Sequence, residues 1–72
     1  MTDFEMKKTG ERIRELRLGL GLSQQALATK IGVAQNTLAQ YENGASKTSI
    51  DVLYNLAVAL ETTSDYLLGL ED

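Results

Sequence analysis

Seventy-two residues make one small domain, of a size that buries only about 60% of its extended surface and therefore folds with a thin stability margin. The chain contains no cysteine and no histidine, which removes disulfide bracing, a thiolate nucleophile, the usual general base and the usual zinc ligands. Net charge is −3 but unevenly laid out: through Lys47 seven bases stand against five acids, a balance of +2, and from Thr48 onward five acids stand with no base, a balance of −5.

The class of fold follows from what recurs. Proline is absent, aromatic residues make up 6% of the chain, and apolar residues return at helical spacing, so the chain is expected to be all-helical. No apolar run approaches the ~20 residues that span a bilayer. The opening "MTDFEMKKTG" also lacks the apolar centre of a signal peptide. With no cysteine, these features point to the cytoplasm. No group of residues forms a catalytic constellation, so an enzyme is not expected, and no cofactor or metal is implied.

Residues 1–8 read as an N-terminal arm, 9–69 as the domain and 70–72 as a tail. Helix one is expected from Thr9 to Leu18, with Ile13, Leu16 and Leu20 as its apolar stripe, and Gly19 and Gly21 stop it. Ser23 then has the side chain of an N-cap, accepting from an otherwise unpaired amide of the second helix, Gln24 to Ile31. That helix buries Leu27 and Ile31. A third helix starts at Ala34 or Gln35, buries Leu38 and Tyr41, and ends at Asn43-Gly44. Thr48, with Asp51 three residues on, predicts the cap of a fourth helix whose stripe is Ile50, Leu53, Leu56, Ala57 and Leu60. Thr63 caps a short fifth helix, "SDYLLG", which offers Tyr66, Leu67 and Leu68 to the core. Helices this short are marginal alone, so they hold by covering one another's stripes.

The second and third helices form a distinct unit. Ile31 closes one stripe and Val33 opens the next, which leaves no room for a linker, and two helices joined so tightly cross at about 90–120°. Ala28 is the small residue such a crossing needs, and Gly32 tolerates the positive φ of the corner. Leu27, Ile31, Leu38 and Tyr41 anchor the two arms. "GLSQQALATKIGVAQNTLAQYENG" (Gly21 to Gly44), "LYNLAVAL" and "DYLLG" closely resemble the Cro and repressor type of helix-turn-helix domain, a prokaryotic and phage family of small transcription regulators. The resemblance implies a lambda-repressor-like bundle of five helices whose third helix enters the major groove of double-stranded DNA, in a protein working at the nucleoid. It also implies a partly buried ion pair between Arg17 and Glu42 and a phosphate contact from Gln24.

The exposed side chains of the third helix are amides and hydroxyls where a soluble helix usually carries Glu and Lys. A carboxamide pairs with adenine N6 and N7, whereas a carboxylate would repel phosphates and a lysine would bind without discrimination. Gln35, Asn36 and Gln40 are therefore assigned to base edges, at positions that match the family's readers. Thr37 joins them, through its hydroxyl to a base or its methyl to a thymine. Asn43, Ser46 and Lys47 lie past the helix, where the loop would run beside phosphates, with Lys7, Lys8 and Arg14 as looser candidates. Ala34 stands where the family often has a Ser or Thr cap, and Thr48 where it often has proline.

One such domain reads too few base pairs to find a site in a genome, so a homodimer on a near-palindromic operator is expected. Leu67, Leu68 and Leu70 are the candidate contacts, with core packing as the other reading of the first two. Two further alternatives stand: an adaptor that docks a protein partner and no DNA, which the acidic second half favours, and a chain that is the DNA-binding part of a longer regulator.

Overall fold

The computed structural model describes residues 5–71; residues 1–4 of the arm and Asp72 of the tail lie outside them. Among the described residues the order is α1 (Met6–Gly19), α2 (Gln24–Ile31), α3 (Gln35–Asn43), α4 (Ile50–Ala59) and α5 (Ser64–Leu68), with no strand. All five helices meet in one core of Ile13, Leu27, Ala28, Ile31, Leu38, Leu56, Leu60 and Leu67. Fully burying a leucine or isoleucine side chain is worth about 1.5–3 kcal/mol, so a set this small leaves little to spare.

α1 begins at Met6, three residues before the expected start. Its first turn has no side-chain cap; tertiary packing holds it instead. Thr9 and Gly10 are buried, and a Cβ on Gly10 would collide with the backbone oxygens of Tyr41 and Glu42 at the end of α3. The buried face of α1 thus runs through Thr9, Ile13 and Arg17, four residues apart. Leu20, expected to complete the stripe, is 42% exposed, because the helix ends at Gly19 and Leu20 lies in the turn beyond it.

Between α2 and α3 the turn has the form that one glycine permits. Gly32 adopts φ 74°, with its N–H donating to Thr29 O and the Val33 N–H to Ala28 O. These two bonds satisfy carbonyls that the helix end would otherwise strand. Ala28 is wholly enclosed.

Three expectations change in the second half. Ser49, not Thr48, caps α4: its Oγ accepts from the Val52 N–H at 3.2 Å. The buried face of α4 then runs through Leu53, Leu56 and the adjoining Leu60, and Ile50 falls on a neighbouring ridge, 85% exposed. Leu67, for which contact between copies and core packing both stood open, is fully enclosed in the core and offers no surface to a partner. Leu68 is half-buried, and Leu70 is 73% exposed. Thr63 caps α5 as expected, accepting from the Tyr66 N–H at 3.1 Å.

One clamp escaped the sequence reading. Arg12 of α1 donates through Nη1 to Tyr66 O at 2.7 Å and to Glu71 O at 3.0 Å. Its guanidinium also lies 4.4 Å from the centre of the Tyr66 ring. The first helix therefore holds the last through both charge and ring face. No helix among the described residues is long and apolar enough to cross a membrane.

Candidate nucleic-acid interface

α3 divides sharply into two faces. Leu38 is fully buried and Glu42 is 7% exposed, while Gln35, Asn36 and Gln40 are exposed and Thr37 is half-buried. The amides are therefore on the outside of the molecule, uncovered by any other part of the described chain. Ala34 supplies no side-chain cap, and the first two amides of the helix, Gln35 and Asn36, keep their backbone N–H groups free for an acceptor from outside.

What holds this helix in place is a buried polar bracket. Arg17 Nε donates to Glu42 Oε2 at 2.7 Å and Nη2 donates to Oε1 at 3.1 Å. The remaining arm of the guanidinium, Nη1, donates to Leu22 O at 2.8 Å. Gln24 Nε2 completes the set by donating to Glu42 Oε1 at 3.1 Å. One carboxylate near the end of α3 thus binds α1 and the first residue of α2 together. Fork-to-fork geometry of this kind is the strongest form of side-chain ion pair.

Gln24 is accordingly more than a free surface amide. One of its two amide hydrogens is committed to Glu42, which orients the side chain and leaves the other for a ligand. Ser23 Oγ accepts from the Ala26 N–H at 3.0 Å, so the backbone N–H groups of Gln24 and Gln25 ahead of it stay free at the positive end of the α2 dipole.

Past α3 the chain turns at Gly44, φ 75°. A Cβ there would lie 2.7 Å from Lys7 Cα, so the start of α1 sits against the turn. That contact brings Lys7 to the same edge as Asn43 and Lys47, all three exposed. Ser46, expected beside phosphates, donates through Oγ to Gln40 Oε1 at 3.2 Å and so steadies the Gln40 side chain. Lys8 and Arg14 are exposed, and Arg14 makes no hydrogen bond or ion pair among the described residues. Gly10 and Lys7 are the residues that the sequence reading undervalued; a glycine inside a helical pattern was the available sign of a close backbone approach. No cluster of three His, Cys, Asp or Glu suited to a metal occurs among the described residues.

A short capped helix, a glycine corner and a second helix with a polar outer face define a helix-turn-helix domain. The chain belongs to the helix-turn-helix family, matched over residues 13–67, and the family and its relatives are transcription regulators, not enzymes. It is 40% identical over 60 residues to a transcriptional regulator of the ATPase CF(0) region of Rhodospirillum rubrum, covering 83% of this chain and 56% of that one. Among solved structures, the P22 c2 repressor in complex with a synthetic operator superposes with a TM-score of 0.84 at 33% identity, covering 97% of this chain and all of that one. The restriction-modification controller protein C.AhdI of Aeromonas hydrophila gives a TM-score of 0.81 at 35% identity, covering 86% and 94%. The chain spans about half the length of the curated relatives it matches.

Proposed function

We propose that this chain reads double-stranded DNA in a sequence-specific manner and represses transcription by occupying a near-palindromic operator as a homodimer. The observation that carries the reading is the amide row of Gln35, Asn36 and Gln40, exposed on a helix whose opposite face is locked into the core. α3 lies in the major groove, with the three amides and Thr37 on base edges. Gln24 and the free amides at the start of α2 hold a phosphate of one strand. Asn43 and Lys47, joined by Lys7, hold phosphates of the other.

The contact from Ser46 refines what Gln40 reads. With Oε1 accepting from the Ser46 hydroxyl, the outward part of the amide is its NH₂, a pure donor. A donor fits guanine O6 and N7 or thymine O4 and meets adenine only at N7, without the paired contact to N6 and N7. Gln35 and Asn36 make no side-chain hydrogen bond among the described residues, so they remain free for the paired contact with adenine.

The test is a titration onto DNA at several salt concentrations, first with random sequence and then with fragments selected for binding. A reader of DNA loses affinity linearly with log[salt], with a slope of about −0.9 per phosphate contacted. Gln35→Ala is expected to weaken binding to the selected site by about 1–3 kcal/mol and to leave random DNA nearly unchanged. Lys47→Ala weakens both alike and lowers the salt slope by about one. Equal losses from the two substitutions overturn the division of roles. No binding even at low salt overturns the reading in favour of a protein-docking adaptor.

A further inference from the structure

Thr9 carries a buried polar atom for which the fold provides no partner. The residue is 5% exposed on the inner face of α1, and its hydroxyl makes no hydrogen bond among the described residues. A threonine inside a helix can turn its hydroxyl onto the carbonyl four residues back. Here that carbonyl, Glu5 O, accepts the Thr9 N–H at 3.2 Å and not the hydroxyl. A buried hydroxyl left unmet costs more than an ordinary hydrogen bond gains.

A small cavity adjoins it. The walls are Met6, Thr9, Tyr41, Ser46, Lys47 and Thr48, and the volume is about 10 Å³, the room that one water molecule needs. Phosphate and sulfate are too large for it, and Lys47 in its wall opposes a cation. The staggered rotamers of Thr9 bring either its methyl or its hydroxyl to this side. Across the cavity the loop between α3 and α4 has a matching need. Residues 46–48 make no backbone–backbone hydrogen bond among the described residues.

We propose that this space is the site of a single bound water that fastens the loop to α1, with Thr9 as its anchor. A buried water is held by two to four polar partners. Thr9 supplies one, and the walls offer the hydroxyls of Ser46 and Thr48 and the backbone groups of residues 46–48 for the rest. The consequence deepens the DNA reading above and rests on it, whereas the site itself does not. Ser46 steadies the Gln40 side chain at 3.2 Å, and Lys47 is the cation assigned to a phosphate. A loop tied through water to the helix keeps both in place. Thr9 is therefore a positioning residue, acting on DNA through the loop.

Thr9→Val keeps the shape of the side chain and removes the hydroxyl, so two accounts of Thr9 differ in sign. Removing a hydroxyl that has no partner raises the thermal midpoint. Removing one that holds water is expected to lower the midpoint of the 72-residue chain by about 4 °C. A crystal structure of the parent is expected to show one ordered water about 3 Å from Thr9 Oγ1 and from a polar group of residues 46–48. That water is lost in Thr9→Val and kept in Thr9→Ser. In titrations onto random DNA, Thr9→Val weakens binding, Thr9→Ser restores it, and Thr9→Val adds no loss to that of Lys47→Ala. A raised midpoint, a cavity without water or a hydroxyl turned onto Glu5 O overturns the site. Unchanged DNA binding by Thr9→Val with the water lost overturns the positioning role. The crystal structure and the thermal midpoint involve no DNA, so the water site stands even where the DNA reading fails.

Discussion

Glu42 receives three nitrogen donors, two from Arg17 and one from Gln24, and both charged residues are only 7% exposed. Desolvating two charges offsets much of their attraction, so the pair matters most when one partner is missing. Glu42→Ala strands the guanidinium and is expected to lower stability by about 3–5 kcal/mol, a large part of what a small domain has. The double replacement Arg17→Met with Glu42→Leu should be far milder, within about 1 kcal/mol of the parent. Urea unfolding of the parent and the two variants checks both, and equal losses from single and double changes contradict the stranded-charge account. The neighbouring contact from Ser46 to Gln40 has a different signature. Ser46→Ala frees the Gln40 amide to turn over, so the base preference at its contact should broaden to include adenine, with stability changed by less than about 0.5 kcal/mol. Selection of bound fragments from random DNA reads that change at a single position.

At the scale of the helices, the ends are where sequence and structure are easiest to compare. Glu61 adopts φ 58°, a conformation that L side chains enter at a cost of about 1–2 kcal/mol and glycine enters freely. The following bonds, Glu61 N–H to Val58 O and Thr62 N–H to Ala57 O, close α4 as glycine closes α2. Glu61→Gly is therefore expected to stabilise the domain by about 1 kcal/mol, visible as a rise in thermal midpoint. α2 and its corner were legible because each signal was local: a serine cap, a glycine, leucines four apart. The polar outer face of α3 was legible for the same reason. The start of α1 was not, because what orders Met6 to Lys8 is the passage of Gly10 under the end of α3, a contact across more than thirty positions of sequence. Ile50 was misplaced by periodicity alone. It lies three residues before Leu53 and fits the apolar pattern, but the pattern does not say which of two adjacent ridges meets a neighbour. Leu67, open to both readings, falls on the core side for the same reason: spacing alone does not choose between them. The contacts of Arg12 and Ser46 left no sequence signal, since their partners are backbone oxygens, a ring and a side chain that only the fold brings near.

At the scale of the whole molecule, size and the reach of a dimer contact meet one constraint. The domain measures 35 × 22 × 19 Å, and successive major-groove faces on one side of a duplex lie about 34 Å apart. Two copies one turn apart are therefore close enough to touch, and two copies two turns apart, about 68 Å, are beyond the reach of a structure 35 Å long. Contact between the two copies of the proposed homodimer should then act as a ruler. A selected operator with half-sites one turn apart is expected to bind two copies cooperatively, with the second about tenfold tighter than the first. Inserting about five base pairs turns the half-sites to opposite sides of the duplex, and inserting about ten moves them beyond contact. Both insertions should remove the cooperativity and leave the affinity of each half-site intact, because the bracket of Arg17, Glu42 and Gln24 positions α3 within a single copy. Gel-shift titrations on the three spacings measure this. Cooperativity that survives at every spacing would mean that DNA itself, not contact between copies, couples the two sites.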